Sequence, residues 1–181
     1  MEGDERLRLF CALLLRPAAV DGLVTWQAAA LASGRKELRI VPRENLHITL
    51  AFLGSTPAAR VDDVVEALQE ACVDADRPVF AVRRYRETRS VAMIELTDEG
   101  GRGALIAERL FGSLEELGLY RRDQRSWLPH VTVARFGSRP RLRPALPDLG
   151  EVTPSDAGVM ISRLRPGGAQ YEVFESVSLG G

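Results

Sequence analysis

Two stretches of the chain, H-I-T-L-A-F-L-G from His47 to Gly54 and H-V-T-V-A-R-F-G from His130 to Gly137, repeat one pattern. The His, Thr, Ala and Gly positions match, and most of the others are apolar in both. The chain holds only two histidines, and each stands before an aliphatic residue, a threonine and a second aliphatic residue. With about half of all residues apolar and threonine at a few per cent, composition alone would produce this roughly once in ten thousand chains. Each stretch reads as a strand, whose side chains alternate between two faces. His47 therefore points the same way as Thr49, and His130 the same way as Thr132. Ile48, Leu50, Val131 and Val133 face the other side.

Working outward, Leu7 to Leu15 is an apolar strand stopped by Pro17. Pro17 to Ser33 carries Val20, Leu23, Val24, Gln27, Ala30 and Leu31 at helical spacing, with Gly34 as the stop. Leu38 to Val41 is a short strand. Thr56-Pro57 reads as a helix N-cap with proline in the first turn, followed by an apolar face of Val61, Val64, Val65, Leu68 and Cys72. Pro78 to Thr88 and Ser90 to Thr97 are strands. Gly100 to Leu117 is a helix with Leu105, Ile106, Leu110, Leu114 and Leu117 inward and Gly118 at its end. Leu128 to Phe136, Ala157 to Leu164 and Tyr171 to Val177 are strands, the first two separated by a Pro/Arg-rich loop at Ser138 to Pro147. Strand pairs interrupt the alternation with helices, so the expected class is α+β with antiparallel sheets and not a parallel doubly wound sheet. No low-complexity linker divides residues 1–181, which read as a single domain.

The 181 residues carry a formal net charge of −1, with 45% hydrophobic and 27% charged residues. That balance excludes a disordered tail, and it argues against a protein that coats long nucleic acid by releasing counterions. No apolar run reaches the roughly 18 residues of a spanning helix. Cys11 and Cys72 form no C-x-x-C pair, and the acidic start M-E-G-D-E does not resemble a signal peptide, so a cytoplasmic, monomeric protein is expected. Lys36 is the only lysine and lies outside any G-K-[ST] context, which removes Walker-type and lysine-adenylating chemistry.

If the two motif strands face one cleft, two imidazoles and two hydroxyls converge. Imidazole titrates near neutral pH, and two can hold opposite protonation states at once. That suits displacement at phosphorus, with one histidine activating water and the other protonating the leaving oxygen, while Thr49 and Thr132 donate to non-bridging oxygens. A lone strand histidine is more often structural; the duplicated context reverses that reading. Neither H-E-x-x-H nor a cysteine cluster is present, so no metal and no other cofactor is expected.

With these residues in view, the chain resembles the two-histidine phosphoesterase superfamily, defined by paired H-x-T-x motifs. The contexts R-L-F-C-A-L, N-L-H-I-T-L-A-F-L-G and L-P-H-V-T-V-A-R resemble its RNA 2′,3′-cyclic phosphodiesterase branch, also called bacterial 2′-5′ RNA ligase. The resemblance implies two pseudo-symmetric lobes flanked by helices around a central cleft. It also implies metal-independent and ATP-independent opening of cyclic phosphates on RNA ends or nucleotides to 2′-phosphomonoesters. It assigns His47 as proton donor, His130 as acceptor and Arg135 as a phosphate or base contact. Strict alternation from His130 would turn Arg135 to the wrong face, so that role requires a bulge or the strand's end.

Phe52 is a candidate base-stacking residue that strict alternation assigns to the core, and Arg8, alternating in an apolar strand, is a candidate phosphate contact. Tyr85 and Tyr120 are ambiguous between core and base contact. Arg83, Arg84, Arg86 and Arg89, with Arg121, Arg122 and Arg125, read either as an RNA path or as solvated faces. The loop from Ser138 to Pro147 reads as a flap or a surface connection. Three alternatives share the motifs: a small cyclic phosphate such as ADP-ribose 1″,2″-cyclic phosphate as substrate, 2′-5′ ligation, and a non-catalytic RNA-end binding module.

Overall fold

The apolar run around Leu9 serves two faces of one sheet. In β1 (Arg6–Leu15), Leu9, Cys11 and Leu13 enter the main core, and Phe10 and Ala12 join Met160 in a smaller cluster on the opposite face. A computed structural model describes residues 5–32, 36 and 38–180. After β1 come α1 (Pro17–Ala30), β2 (Leu38–Ile40), β3 (His47–Pro57) and α2 (Val61–Cys72). β4 (Val79–Glu87), β5 (Val91–Glu99) and α3 (Arg102–Glu116) follow, then β6 (His130–Phe136), β7 (Pro154–Arg165) and β8 (Gly168–Ser178). All pairings are antiparallel in an eight-stranded sheet of order β4-β5-β6-β3-β1-β7-β8, with β2 also on β6. The α+β fold is therefore as expected, its sheet curled into a half-barrel with the core and helices on the convex side. Val64 and Leu68 of α2 and Ile106, Leu110 and Leu114 of α3 are buried there.

The sheets of the two halves are continuous. β3-β1-β7-β8 meets β4-β5-β6 where Ile48 pairs with Val131. The joint thus falls on the second residue of both repeats. Carried one residue either way, antiparallel register sets His47 against Thr132 and Thr49 against His130.

Both motif strands then bulge at their fourth residue. On β6, Ala92 opposes Ala134 and Met93 opposes Thr132, which leaves Val133 extra. On β3, Cys11 opposes Ala51 and Ala12 opposes Thr49, which leaves Leu50 extra. An extra residue reverses the alternation beyond it. At Val133 the bulged carbonyl accepts from the Gln27 side chain at 2.9 Å and from the Val41 amide at 3.0 Å. Gln27 also donates to the Val41 carbonyl at 3.1 Å, which explains a buried amide on an apolar helix face. On β3 the Trp127 indole N–H donates to the Thr49 carbonyl at 3.0 Å.

Some expectations are corrected. Thr56 is not a helix cap: β1 runs far enough to pair Leu7 with Thr56 and Arg6 with Pro57, so β3 continues and α2 starts at Val61 after a 3-10 turn. α1 ends at Ala30, where the Leu31 amide bonds Gln27; the expected Ser33 end and Gly34 stop lie outside the described residues. Leu105 and Leu117 are exposed because the buried stripe of α3 is narrower, running through Ile106, Leu110 and Leu114. The Asp98 carboxylate caps α3 through the Gly103 and Ala104 amides, and Gly118 closes it at φ 68°.

The loop at 138–147 is a pinned connection. The buried Glu87 carboxylate accepts from the amides of Arg141 and Leu142, from Arg139 and from the Tyr85 hydroxyl, while Trp26 donates to the Ala145 carbonyl. Tyr85 is thereby structural, as is Tyr120, stacked on Phe111.

Gln27→Leu keeps the apolar volume and removes both donors. It is expected to lower stability by about 1–3 kcal/mol in urea unfolding; an unchanged midpoint would show that the bulge holds itself.

Candidate active site

The seam places both motifs on the concave face. His47, Thr49, His130 and Thr132 are half-buried there and alternate with buried Ile48, Leu50, Val131 and Val133. Each imidazole is fixed the same way. His47 Nδ1–H donates to the Asn45 carbonyl at 2.8 Å, and His130 Nδ1–H donates to the Leu128 carbonyl at 2.8 Å. This selects the tautomer whose Nε2 is the free nitrogen. In the neutral His47 ring that nitrogen accepts from the Thr49 hydroxyl at 2.9 Å.

A cleft of about 450 Å³ opens beside His47, lined by Thr49, Thr132, Arg135, Phe52 and Arg8 among others. His130 does not line this cavity; it stands next to it on β6, and its charge is felt at His47. The bulges decide which further side chains reach the cleft. Beyond Val133, Arg135 turns to the same face as His130 and Thr132. Beyond Leu50, Phe52 does so too, 49% exposed, which overturns its assignment to the core. Phe52 and Arg135 occupy the same position of the two repeats. The Arg8 guanidinium lies 4.8 Å from the centre of the Phe52 ring.

Arg39 and Arg165 complete a set of four cleft arginines, and no carboxylate is among the lining residues. None of Arg8, Arg39, Arg135 and Arg165 has an ion-pair partner among the described residues. The cleft therefore selects an anion. Arg39 shows the sign already noted for Arg8, an isolated arginine in an apolar strand; Arg165 sits in a Pro-Gly turn that gives no such sign. Of the other arginine groups, Arg122 pairs with Glu108 and Glu115 and Arg125 with Asp123, as a solvated face would.

His47 rests on an aromatic floor, 5.0 Å from Phe10 and edge-on to Tyr171 at 5.4 Å between centroids. Asn45, just before the first motif, ties this floor to the β7–β8 hairpin by donating to the Ala169 carbonyl at 2.7 Å. Burial first of all, and then repulsion from His130 and Arg135, push the His47 imidazole down to about 4, against the pull of the Asn45 carbonyl. With these groups alone its neutral form prevails at pH 7. Among the described residues no three His, Cys, Asp or Glu side chains gather as a metal site. No described helix is long and apolar enough to cross a membrane.

Comparison with known proteins agrees with this fold. The family profile described as LigT-like phosphoesterase matches residues 14–89. A Thermus thermophilus protein named RNA 2′,3′-cyclic phosphodiesterase is 30% identical over 186 residues, covering 97% of this chain and 91% of the relative. The crystal structure of TT0787 of Thermus thermophilus superposes with a TM-score of 0.78 at 28% identity, covering 97% of this chain and 99% of the other. Apo E. coli LigT does so at 0.78 and 21% identity, covering 98% and 100%. The chain belongs to the LigT-like phosphoesterases of the two-histidine superfamily.

Proposed function

We propose that the protein hydrolyses 2′,3′-cyclic phosphates at RNA ends or on nucleotides, leaving 2′-phosphomonoesters. One observation carries the reading: two imidazoles, each with Nδ1 locked on a carbonyl so that Nε2 is the nitrogen left to exchange a proton, share the concave face, and the cavity beside His47 is lined by arginines and no carboxylate. In this reading a water oxygen attacks phosphorus as neutral His130 takes its proton at Nε2. The bond from phosphorus to O3′ breaks, and His47 Nε2–H gives its proton to that oxygen. Thr49, Thr132 and Arg135 hold the non-bridging oxygens, so negative charge building on them meets donors already in place.

A general acid must carry a proton, whereas the protein's own groups hold His47 near 4. A phosphodiester anion between it and Arg135 supplies the missing counter-charge and favours imidazolium. Once Nε2 is protonated it becomes a donor, and the Thr49 hydroxyl is released from His47 to the phosphate. The cleft volume suits a single nucleotide, and the Phe52 ring under Arg8 offers a face for its base.

The direct test is incubation of 2′,3′-cyclic AMP and a cyclic-phosphate oligonucleotide with the protein in EDTA, with products identified by phosphorus NMR. The expected product is the 2′-phosphate, and His47→Ala and His130→Ala should each lower kcat by about 10²–10⁴-fold without unfolding. Full activity in either variant removes the mechanism, and a 3′-phosphate product would reverse the leaving group.

His47 also predicts a pH response of the free protein. Its folded-state value lies below the ordinary 6.5, so the unfolded chain binds the extra proton between about 6.5 and 4, and stability falls as pH falls through that window. Melting should therefore be lower at pH 5 than at pH 7, with the difference reduced in His47→Gln. An identical difference in that variant would assign the response elsewhere.

A further inference from the structure

We propose that Arg84 and Arg86 on β4 form a second phosphate site, a track for the RNA backbone upstream of the terminal nucleotide, so that the preferred ligand is an oligonucleotide end rather than a mononucleotide. This rests on the reading of the cleft as an RNA-end site.

Residues directly opposite on paired strands carry their side chains on one face. Glu95 on β5 pairs with His130 on one side and with Arg84 on the other. Met93 likewise pairs with Thr132 and with Arg86. Two rows, His130–Glu95–Arg84 and Thr132–Met93–Arg86, therefore run from the catalytic motif to the edge of the sheet on the concave face. The Arg84 row ends two strands from His130, about 10 Å away, and neither arginine lines the cavity beside His47.

Glu95 is fully buried, and its two oxygens accept from Arg84 Nε at 2.5 Å and from Arg86 at 2.9 Å. Burial works to raise its carboxyl, but the hydrogen bonds and charges of the two arginines hold it below the ordinary range, so the carboxylate stays ionised. A buried ion pair is weak stabilisation compared with an apolar side chain of similar size. What Glu95 does provide is orientation: it fixes two guanidiniums whose side chains remain 55% and 47% exposed. Arg84 engages it through Nε and Arg86 through one terminal nitrogen, which leaves several N–H groups on each for phosphate oxygens. Two cations over one buried anion leave a net positive patch, held in place before any ligand arrives.

The other exit from the cleft lacks such a site. On β8 the residues that face the same way are Ala169, Tyr171 and Val173, which pair with Leu164, Ser162 and Met160. The cavity holds about one nucleotide, and of these two rows only that of β4 carries guanidiniums beyond the cavity's own lining for the chain that continues from it.

The test compares binding of a 2′-phosphate-ended tetranucleotide with binding of 2′-AMP over a range of salt. For the wild type, the log–log salt slope of the tetranucleotide should exceed that of 2′-AMP by about 1.4, the value for two further phosphates on a single strand. R84Q/R86Q should weaken the tetranucleotide on the order of tenfold at low salt, bring its slope down to that of 2′-AMP, and leave 2′-AMP itself unchanged. The triple variant R84Q/R86Q/E95Q removes the buried charge together with its partners and should show the same selective loss in a folded protein. Equal losses for both ligands, or a wild type that binds both with one salt slope, would overturn the track. Turnover is scored separately: a wild type that binds as expected but opens neither cyclic ester defeats the reaction proposed above and leaves the track standing.

Discussion

Everything at the site depends on how β3 and β6 meet. A single backbone pairing, Ile48 with Val131, joins the two halves of the sheet at the second residue of each repeat. Because the strands are antiparallel, each histidine comes beside the other strand's threonine, and all four side chains share the concave face. Shifting the register by one residue would send the histidines into the core and the valine and isoleucine into the cleft. The buried Ile48 and Val131 oppose that shift by hydrophobic burial, so the core on one face holds the chemistry on the other.

The bulges at Leu50 and Val133 add a second layer to this arrangement. Each occupies the fourth position of its repeat, and each brings the sixth residue back to the concave face. The duplication is thus one of backbone geometry, and the halves differ in what they place there: Phe52 on one side and Arg135 on the other. An aromatic face and a guanidinium are the two groups a nucleotide asks for. Electrostatics then follows from what the cleft leaves out. Four arginines without ion-pair partners among the described residues, beside a neutral His47, give the cleft a positive charge that suits an anion.

Much of this was legible in the sequence, and the limits have physical causes. The four motif residues stood out because a strand's period of two is rigid and the histidines are rare. The same period misplaced Phe52, since the Leu50 bulge leaves no mark in side-chain identity. For the matching bulge before Arg135, Gln27 was the available sign: a polar residue on an apolar helix face needs a buried partner, here the Val133 carbonyl. Thr56 misled because capping residues are also good strand residues, and the long reach of β1 decided between them. Arg84 and Arg86 looked like part of a charged run, because only the register of β4 with β5 shows Glu95 beneath them. Arg165 gained its place from the β7–β8 turn, a relation that spans most of the chain.

The central claim is that both histidines act on one phosphorus centre, although only His47 lines the cavity. The direct measurement is titration with orthovanadate, followed in long-range proton–nitrogen spectra of the two imidazoles. The account predicts that Nε2 of His47 and of His130 shift along one saturation curve with a single Kd, while both Nδ1 signals stay on their carbonyls. A shift confined to His47, or two separate binding curves, would contradict it.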